Sequence, residues 1–249
     1  MLRHLARLIY GIYAVCAWLI VIFFVACPLI ILLPTLSLRR AAGRSGVKLA
    51  MALIGSPIRV RGLENLPDTP CVAVANHASY MDGLVLTAAL PARFSFVVQD
   101  GAASWPYVGL VIKRMGVIFI NRTSAREGAR QTRDLIRRLE QGESLAVFPE
   151  GTFRKEPGLM TFRNGAFLVA AHAQVPVVPC AIRGTRRLLG EGQKLLGYSP
   201  ISIQILPAIR SQAGNDRAAV NLLRDRAREA VLAKCGEPEG RAGMSKSHE

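Results

Sequence analysis

Asn76-His77-Ala78-Ser79-Tyr80-Met81-Asp82 places a histidine and an aspartate with four residues between them. Histidine titrates near neutrality, and a carboxylate on one ring nitrogen fixes the tautomer that leaves the other nitrogen free to take a proton. His77 and Asp82 thus have the residue types of a general base and its orienter. The pair alone is no more than a turn or a helix cap would supply, so other segments must decide. Gly116-Val117-Ile118-Phe119-Ile120-Asn121-Arg122 reads as a strand ending in an arginine, and such a guanidinium can form two parallel hydrogen bonds to a phosphate. Phe148-Pro149-Glu150-Gly151-Thr152 is a second strand end, where proline and glycine shape a tight turn that can expose N–H groups, a carboxylate and a hydroxyl. Val175-Pro176-Val177-Val178-Pro179 introduces a further strand.

Other chemistries are poorly supported. Ser79 and Thr152 lie in no G-x-S-x-G elbow, so neither reads as a nucleophile. His4, His77, His172 and His248 are scattered without an H-E-x-x-H pattern, which argues against a metal site. His172 lies in the apolar stretch Ala166 to Ala173 and reads as a core residue. Cys16, Cys27, Cys71, Cys180 and Cys235 are odd in number, lack C-x-x-C spacing and read as reduced, buried thiols of a cytoplasmic protein.

The elements that must position these residues follow from the hydrophobic pattern. Cys71 to Ala75 is a short buried strand and Met81 to Leu90 a packed helix, so the His77 segment spans a strand-to-helix junction, where open α/β sheets place ligands. Positions five apart on a continuous helix sit on different faces, so at least one of His77 and Asp82 belongs to the turn before it. Strand-length apolar runs recur at Phe94–Val98, Gly116–Ile120, Leu145–Phe148, Val177–Ile182 and Ile201–Leu206. Ser124 and Glu127 form a capping box for a helix whose charged face carries Arg126, Arg130, Arg133 and Arg137, a solvated or membrane-facing row. Asp216 to Lys234 is the last helix, with Val220, Leu223, Ala227 and Val231 as its buried stripe. The expected fold is α/β: a single domain over residues 58–235 with a mixed, mainly parallel sheet flanked by helices. Residues 1–57 are expected to form a membrane-embedded helical segment, and residues 236–249 a disordered tail.

At 249 residues and 51% hydrophobic content the chain can build one such domain plus an appendage. Its net charge of +15 calls for an anionic partner: nucleic acid, an acidic membrane surface or a phosphorylated substrate. Before Glu64 there is no acidic residue, while Arg3, Arg7, Arg39, Arg40, Arg44 and Lys48 flank the uncharged run Leu8 to Leu38. That run exceeds the roughly 20 residues that cross a bilayer. It is too long for a secretory signal and has no clear cleavage site. Basic flanks on both sides favour a monotopic hairpin over a span, broken at Pro28 and Pro34, with Val47 to Ile54 as a second short helix. Each flanking cation would contribute on the order of 1 kcal/mol at an anionic surface. Nucleic acid is disfavoured, because no basic stretch is interleaved with stacking aromatics.

The ordered set N-H-x-x-x-x-D, G-x-I-F-I-x-R, F-P-E-G-T and V-P-V-V-P, from about Ile58 to Pro207, resembles the glycerolipid acyltransferase family. The resemblance implies acyl transfer from acyl-CoA or acyl-carrier protein to the free hydroxyl of a lysophospholipid such as 1-acyl-glycerol-3-phosphate, with no resident cofactor. It also implies a place on the cytoplasmic side of a bacterial inner membrane, among membrane lipids. Carried over, His77 is the catalytic base, Asp82 its partner, Arg122 the phosphate contact, and Glu150, Gly151 and Thr152 part of the acceptor site. One departure stands out: Gln99 and Gly101 occupy the segment where family members commonly have a lysine and a glutamate. Lys113 or Arg114 could substitute for that lysine. The acceptor is therefore open, a lyso-aminolipid with a free hydroxyl being the near alternative. A lipid hydrolase or thioesterase using the same base on water, and a non-catalytic membrane-binding protein, are the readings from other classes.

Overall fold

The structure, a computed structural model, describes residues 2–99, 105–120, 125–211 and 216–240. The six predicted strand-like runs form strands, and a seventh strand that the pattern did not single out, β1, precedes them: β1 (Ile58–Arg61), β2 (Val72–Ala75), β3 (Phe94–Gln99), β4 (Ile118–Ile120), β5 (Ser144–Val147), β6 (Val177–Arg183) and β7 (Ile201–Ile205). They make one sheet in the order β1-β7-β6-β2-β5-β3-β4. Every neighbouring pair is parallel except β6 and β7. This is the mixed, mainly parallel sheet expected of the sequence.

A parallel sheet must be covered on both faces, which is why its central strands are apolar throughout. Alternation sorts β2 between two cores. Ala73 and Ala75 join one with Val178, Cys180 and Ile203. Val72 and Val74 join the other with Val177, Ala181 and Leu145. Helix α4 (Asp82–Ala89) contributes Val85 and Leu86 to the first core, and the shorter helices α5 (Pro106–Arg114) and α8 (Thr185–Leu189) add Val111 and Leu188 to the buried interior. Helices α7 (Gly165–His172) and α9 (Arg217–Cys235) contribute Phe167, Val220 and Val231 to the second. The predicted stripe of the last helix, Val220, Leu223, Ala227 and Val231, is buried as a set.

The amino-terminal segment departs from its expected form. Pro28 does not break it: α1 (Leu2–Leu19), a π-helical stretch (Ile20–Ala26) and α2 (Cys27–Leu32) follow without a break. Cys27 N–H donates to Ile22 O, five residues back, so the ladder has already changed register where Pro28 enters the first turn of α2. The chain turns at Leu33 to Thr35. Arg39 Nε donates to Leu33 O at 2.8 Å and its Nη2 to Pro34 O at 2.8 Å, satisfying carbonyls at the helix end. Thr35 then caps α3 by accepting from Leu38 N–H. Helix α3 runs Leu36–Leu53, much longer than the predicted Val47 to Ile54, because its inward face packs on α4 and the returning helix while its arginines bond to the domain. Arg40 is buried, donating to Met115 O, Ala92 O and Ser95 Oγ at 3.0, 2.8 and 2.7 Å. Ala14, Trp18 and Val21 share one core with Met51, Val85 and Ile201, so the hairpin is packed onto the sheet layer rather than appended to it.

Three further expectations change. His172 is exposed at the end of α7, because the helix turns that position away from the second core. Cys16 is exposed on α1, whereas Cys27, Cys71, Cys180 and Cys235 are buried free thiols as expected. Residues 236–240, expected to be disordered, are held by hydrogen bonds to the 158–160 segment. Ser124 of the capping box lies outside the described residues; α6 (Ala125–Glu140) exposes Arg130, Arg133 and Arg137.

Candidate active site

His77 sits in the turn between β2 and α4, and Asp82 is the first residue of α4. This is the division between turn and helix that the five-residue separation requires. His77 Nδ1 lies 2.9 Å from Asp82 Oδ2. The same oxygen accepts from Ala78 N–H at 2.6 Å and Ser79 N–H at 2.8 Å. An acid in the first turn also faces the positive end of the helix dipole. Asp82 is completely buried, while the His77 side chain keeps 20% of its surface. With two backbone donors already on Oδ2, the carboxylate is anchored and directs His77 Nδ1–H toward itself. Nε2 is then the atom left to take a proton.

The imidazole is fixed by its neighbours as well. Phe148, at the end of β5, stacks on it with centroids 4.4 Å apart and planes 22° apart. Phe153 covers it at 4.7 Å and 56°, and Tyr80 meets Phe153 edge-on at 4.8 Å. Ser79 braces the turn: its Oγ donates to Leu189 O at 2.5 Å and accepts from Met81 N–H at 3.0 Å. Asn76 ties the end of β2 to β6, exchanging two hydrogen bonds with the Ile182 backbone at 3.0 and 2.7 Å. Sequence reasoning passed over Asn76, Ser79, Phe148 and Phe153 as site residues. The signal for the first two was their place inside the His77 segment; Phe153 carried none.

The Phe148 to Thr152 turn reaches the same place, but Glu150 points inward. Only 3% exposed, it accepts from His77 N–H at 2.6 Å and from Met160 N–H at 2.8 Å. Burial pushes its carboxyl up to about 7, against the two N–H bonds that favour the charged form, with Asp82 and Glu237 adding to the rise. Glu150 thus holds the backbone of the base. Gly151, at φ +77°, allows the turn that Phe148 O and Gly151 N–H close. Thr152 is exposed, its hydroxyl 3.4 Å from Phe153 O. Arg122 lies outside the described residues, as do Gly101 and the side chain of Gln99.

Two apolar cavities are lined in part by residues near the base, although His77 itself lines neither. One, of about 380 Å³, runs between the hairpin and α4 from Tyr80, Gly83 and Leu84 to Ala92, Met115 and Arg40. The other, of about 460 Å³, lies under α6 and α7 on the opposite face of the sheet and begins at Phe148 and Pro149. A half-buried base with an anchored carboxylate, with chain-sized apolar spaces nearby, suits proton abstraction from a hydroxyl borne by an amphiphile.

A family model described as Acyltransferase matches residues 57–183, which hold both His77 and the Glu150 turn. The chain belongs to this acyltransferase family. It is 35% identical over 149 residues to a chloroplastic 1-acyl-sn-glycerol-3-phosphate acyltransferase of Brassica napus, a match covering 59% of this chain and 43% of that protein. It is also 35% identical over 172 residues to the lyso-ornithine lipid O-acyltransferase of Rhizobium meliloti, covering 68% of this chain and 58% of that one. This acyltransferase-family chain therefore spans about half the length of the curated relatives it matches. Its fold is that of the crystal structure of a 1-acyl-sn-glycerophosphate acyltransferase from Thermotoga maritima, with a TM-score of 0.74, 21% identity, and 93% of this chain and 97% of the other covered.

Proposed function

We propose that this chain is a membrane-bound O-acyltransferase that moves an acyl chain from acyl-CoA or acyl-carrier protein to the free hydroxyl of 1-acyl-glycerol-3-phosphate, giving phosphatidic acid. The observation that carries the reading is the pairing of His77 Nδ1 with the doubly anchored Asp82 Oδ2, which reserves Nε2 for the acceptor. His77 Nε2 takes the hydroxyl proton as the oxygen forms its bond to the thioester carbonyl. The tetrahedral adduct then collapses, the C–S bond breaks, and the imidazolium returns the proton to the leaving thiol. Asp82 stabilises the imidazolium between the two steps, as in a hydrolase triad without its nucleophile. The two cavities supply room for the chain being transferred and for the chain already on the acceptor. Arg122 would contact the acceptor phosphate and Thr152 its polar end.

A monotopic anchor on the cytoplasmic face of a bacterial inner membrane accompanies this reading. His4–Leu32 is long and apolar enough to cross a bilayer, but Ala14, Trp18, Val21 and Ile30 on one side of it are packed within the protein. Leu8, Ile9, Ile12, Ile20, Phe24 and Leu32 on the other side are exposed, which suits one leaflet better than a span surrounded by lipid.

A lyso-ornithine lipid acceptor is the second reading, favoured by the likeness to the Rhizobium meliloti protein and by Gln99 at the usual lysine position. Purified protein, labelled acyl-CoA and a panel of 1-acyl-glycerol-3-phosphate, a lyso-aminolipid and water alone separates these from a thioesterase. Arg122→Ala should raise KM for the phosphate acceptor only. Undiminished transfer by His77→Ala would sink the mechanism.

A further inference from the structure

Between Glu150 and Leu159 the chain leaves the core, and this loop is held from outside by the segment that follows α9. Gly236 ends α9 at φ +73° and turns the chain back. Residues 236–240 then lie beside residues 158–160: Leu159 N–H donates to Pro238 O at 2.9 Å and Gly240 N–H to Leu159 O at 3.0 Å. A Cβ on Gly158 would stand 2.9 Å from Gly240 Cα, so the two backbones meet where neither has a side chain. Glu237, its side chain 14% exposed, accepts from Arg186 Nε at 2.8 Å and from Gly158 N–H at 2.8 Å. Arg186, 19% exposed, also donates from Nη1 to the carbonyls of Arg154 at 2.6 Å and Lys155 at 3.2 Å. Arg228 adds bonds to Leu159 O and Met160 O. The loop is thus tied immediately after Phe153 and again before Met160, whose N–H reaches Glu150.

We propose that Arg186 and Glu237 are positioning residues: they form a clasp through which the carboxy-terminal strap holds Phe153 against the His77 ring. The proposal rests on reading His77 as the base. A largely buried ion pair that loses one partner leaves the other uncompensated, so the loop carbonyls and Gly158 N–H lose their anchor together. Phe153 then moves off the imidazole, which gains water and loses its alignment with the acceptor hydroxyl. Misplacement of a reacting group by about 1 Å can cost on the order of 100-fold in rate. Asp82, on the far side of the turn, keeps its own backbone donors.

The test uses the full chain in detergent micelles as Arg186→Ala, Arg186→Lys and Glu237→Gln. The last removes the charge and the acceptor that faces Arg186 Nε–H, while its amide oxygen can still accept from Gly158 N–H. Carbethoxylation of His77 by diethylpyrocarbonate is followed by peptide mass spectrometry against exposed His172, alongside kcat and acceptor KM. The expected result is a His77 to His172 rate ratio raised several-fold in Arg186→Ala and Glu237→Gln, with Arg186→Lys partly restored. On that alignment argument kcat should fall about tenfold or more while KM moves less than about threefold. An unchanged ratio in Glu237→Gln at the parental thermal midpoint overturns the clasp, whatever Arg186→Ala does. The ratio needs no turnover, so the clasp and the acyl-transfer reading can fail separately.

Discussion

Replacing Asp82 by asparagine isolates the charge of the orienter from its geometry. Two backbone N–H groups, of Ala78 and Ser79, point at Oδ2 from 2.6 and 2.8 Å. An NH2 group placed there would face two donors, so the amide oxygen must take the Oδ2 position and the NH2 the position of Oδ1. Among the described residues Oδ1 has no hydrogen-bond partner, so the exchange breaks no bond there. The amide oxygen of the variant would still accept from His77 Nδ1–H, and the productive tautomer would survive. What disappears is the negative charge beside the developing imidazolium. Two unit charges about 4 Å apart at an effective dielectric of about 20 interact by about 4 kcal/mol, which corresponds to roughly a thousandfold in rate. A triad aspartate whose loss also inverts the tautomer costs about 10⁴. We therefore expect Asp82→Asn to lower kcat by about a thousandfold, with acceptor KM changed less than about threefold. Single-turnover transfer from labelled acyl-CoA, beside a thermal melt, measures both. A folded Asp82→Asn enzyme within tenfold of the parent's rate, while His77→Ala is inactive, would refute the reasoning about charge.

The pH dependence of stability should report Glu150. Its carboxyl is raised to about 7 by burial, so the stability tied to its neutral form is present below its ordinary value and lost as pH rises through about 7. The stability difference between Glu150→Gln and the parent should shift toward the variant by a few kcal/mol from pH 4 to 8, on the scale of ~1.4 kcal/mol per unit; a pH-independent difference in denaturant melts would contradict it. A Cβ on Gly83 meets nothing within 4 Å, and Gly83 lines the cavity beside α4. Gly83→Phe should therefore fill that space and shift transfer toward shorter acyl chains, as read by product mass spectrometry from mixed-chain donors. Phe24 and Leu32 are 76% and 78% exposed, so Phe24→Asp with Leu32→Asp should cut co-flotation with anionic liposomes and leave the thermal midpoint within a few degrees.

His77, Asp82 and the succession of strands and helices were legible in the chain because each rests on local chemistry. A carboxylate five positions from a histidine, apolar runs of strand length and the stripe of α9 need no knowledge of what lies opposite. The hairpin was only half legible. Its apolar face and Pro34 turn are local features. The passage of the helix through Pro28 and the full length of α3 depend on a π-helical register change and on Arg40 reaching Met115, Ala92 and Ser95. Glu150 was found by its motif, but its bond to the His77 backbone was not legible, since a turn's sequence does not say which side chain faces inward.

By itself the sequence determined the histidine–aspartate pair, the α/β class and the basic, apolar character of the amino-terminal segment, because residue type and spacing act over a few bonds. Tertiary structure alone decided the antiparallel pairing of β6 with β7, the turning of Glu150 onto the His77 backbone, the closure of Phe148 and Phe153 over the imidazole and the strap at 236–240. Those contacts join residues tens of positions apart, and which of them form depends on how the two sheet faces are filled.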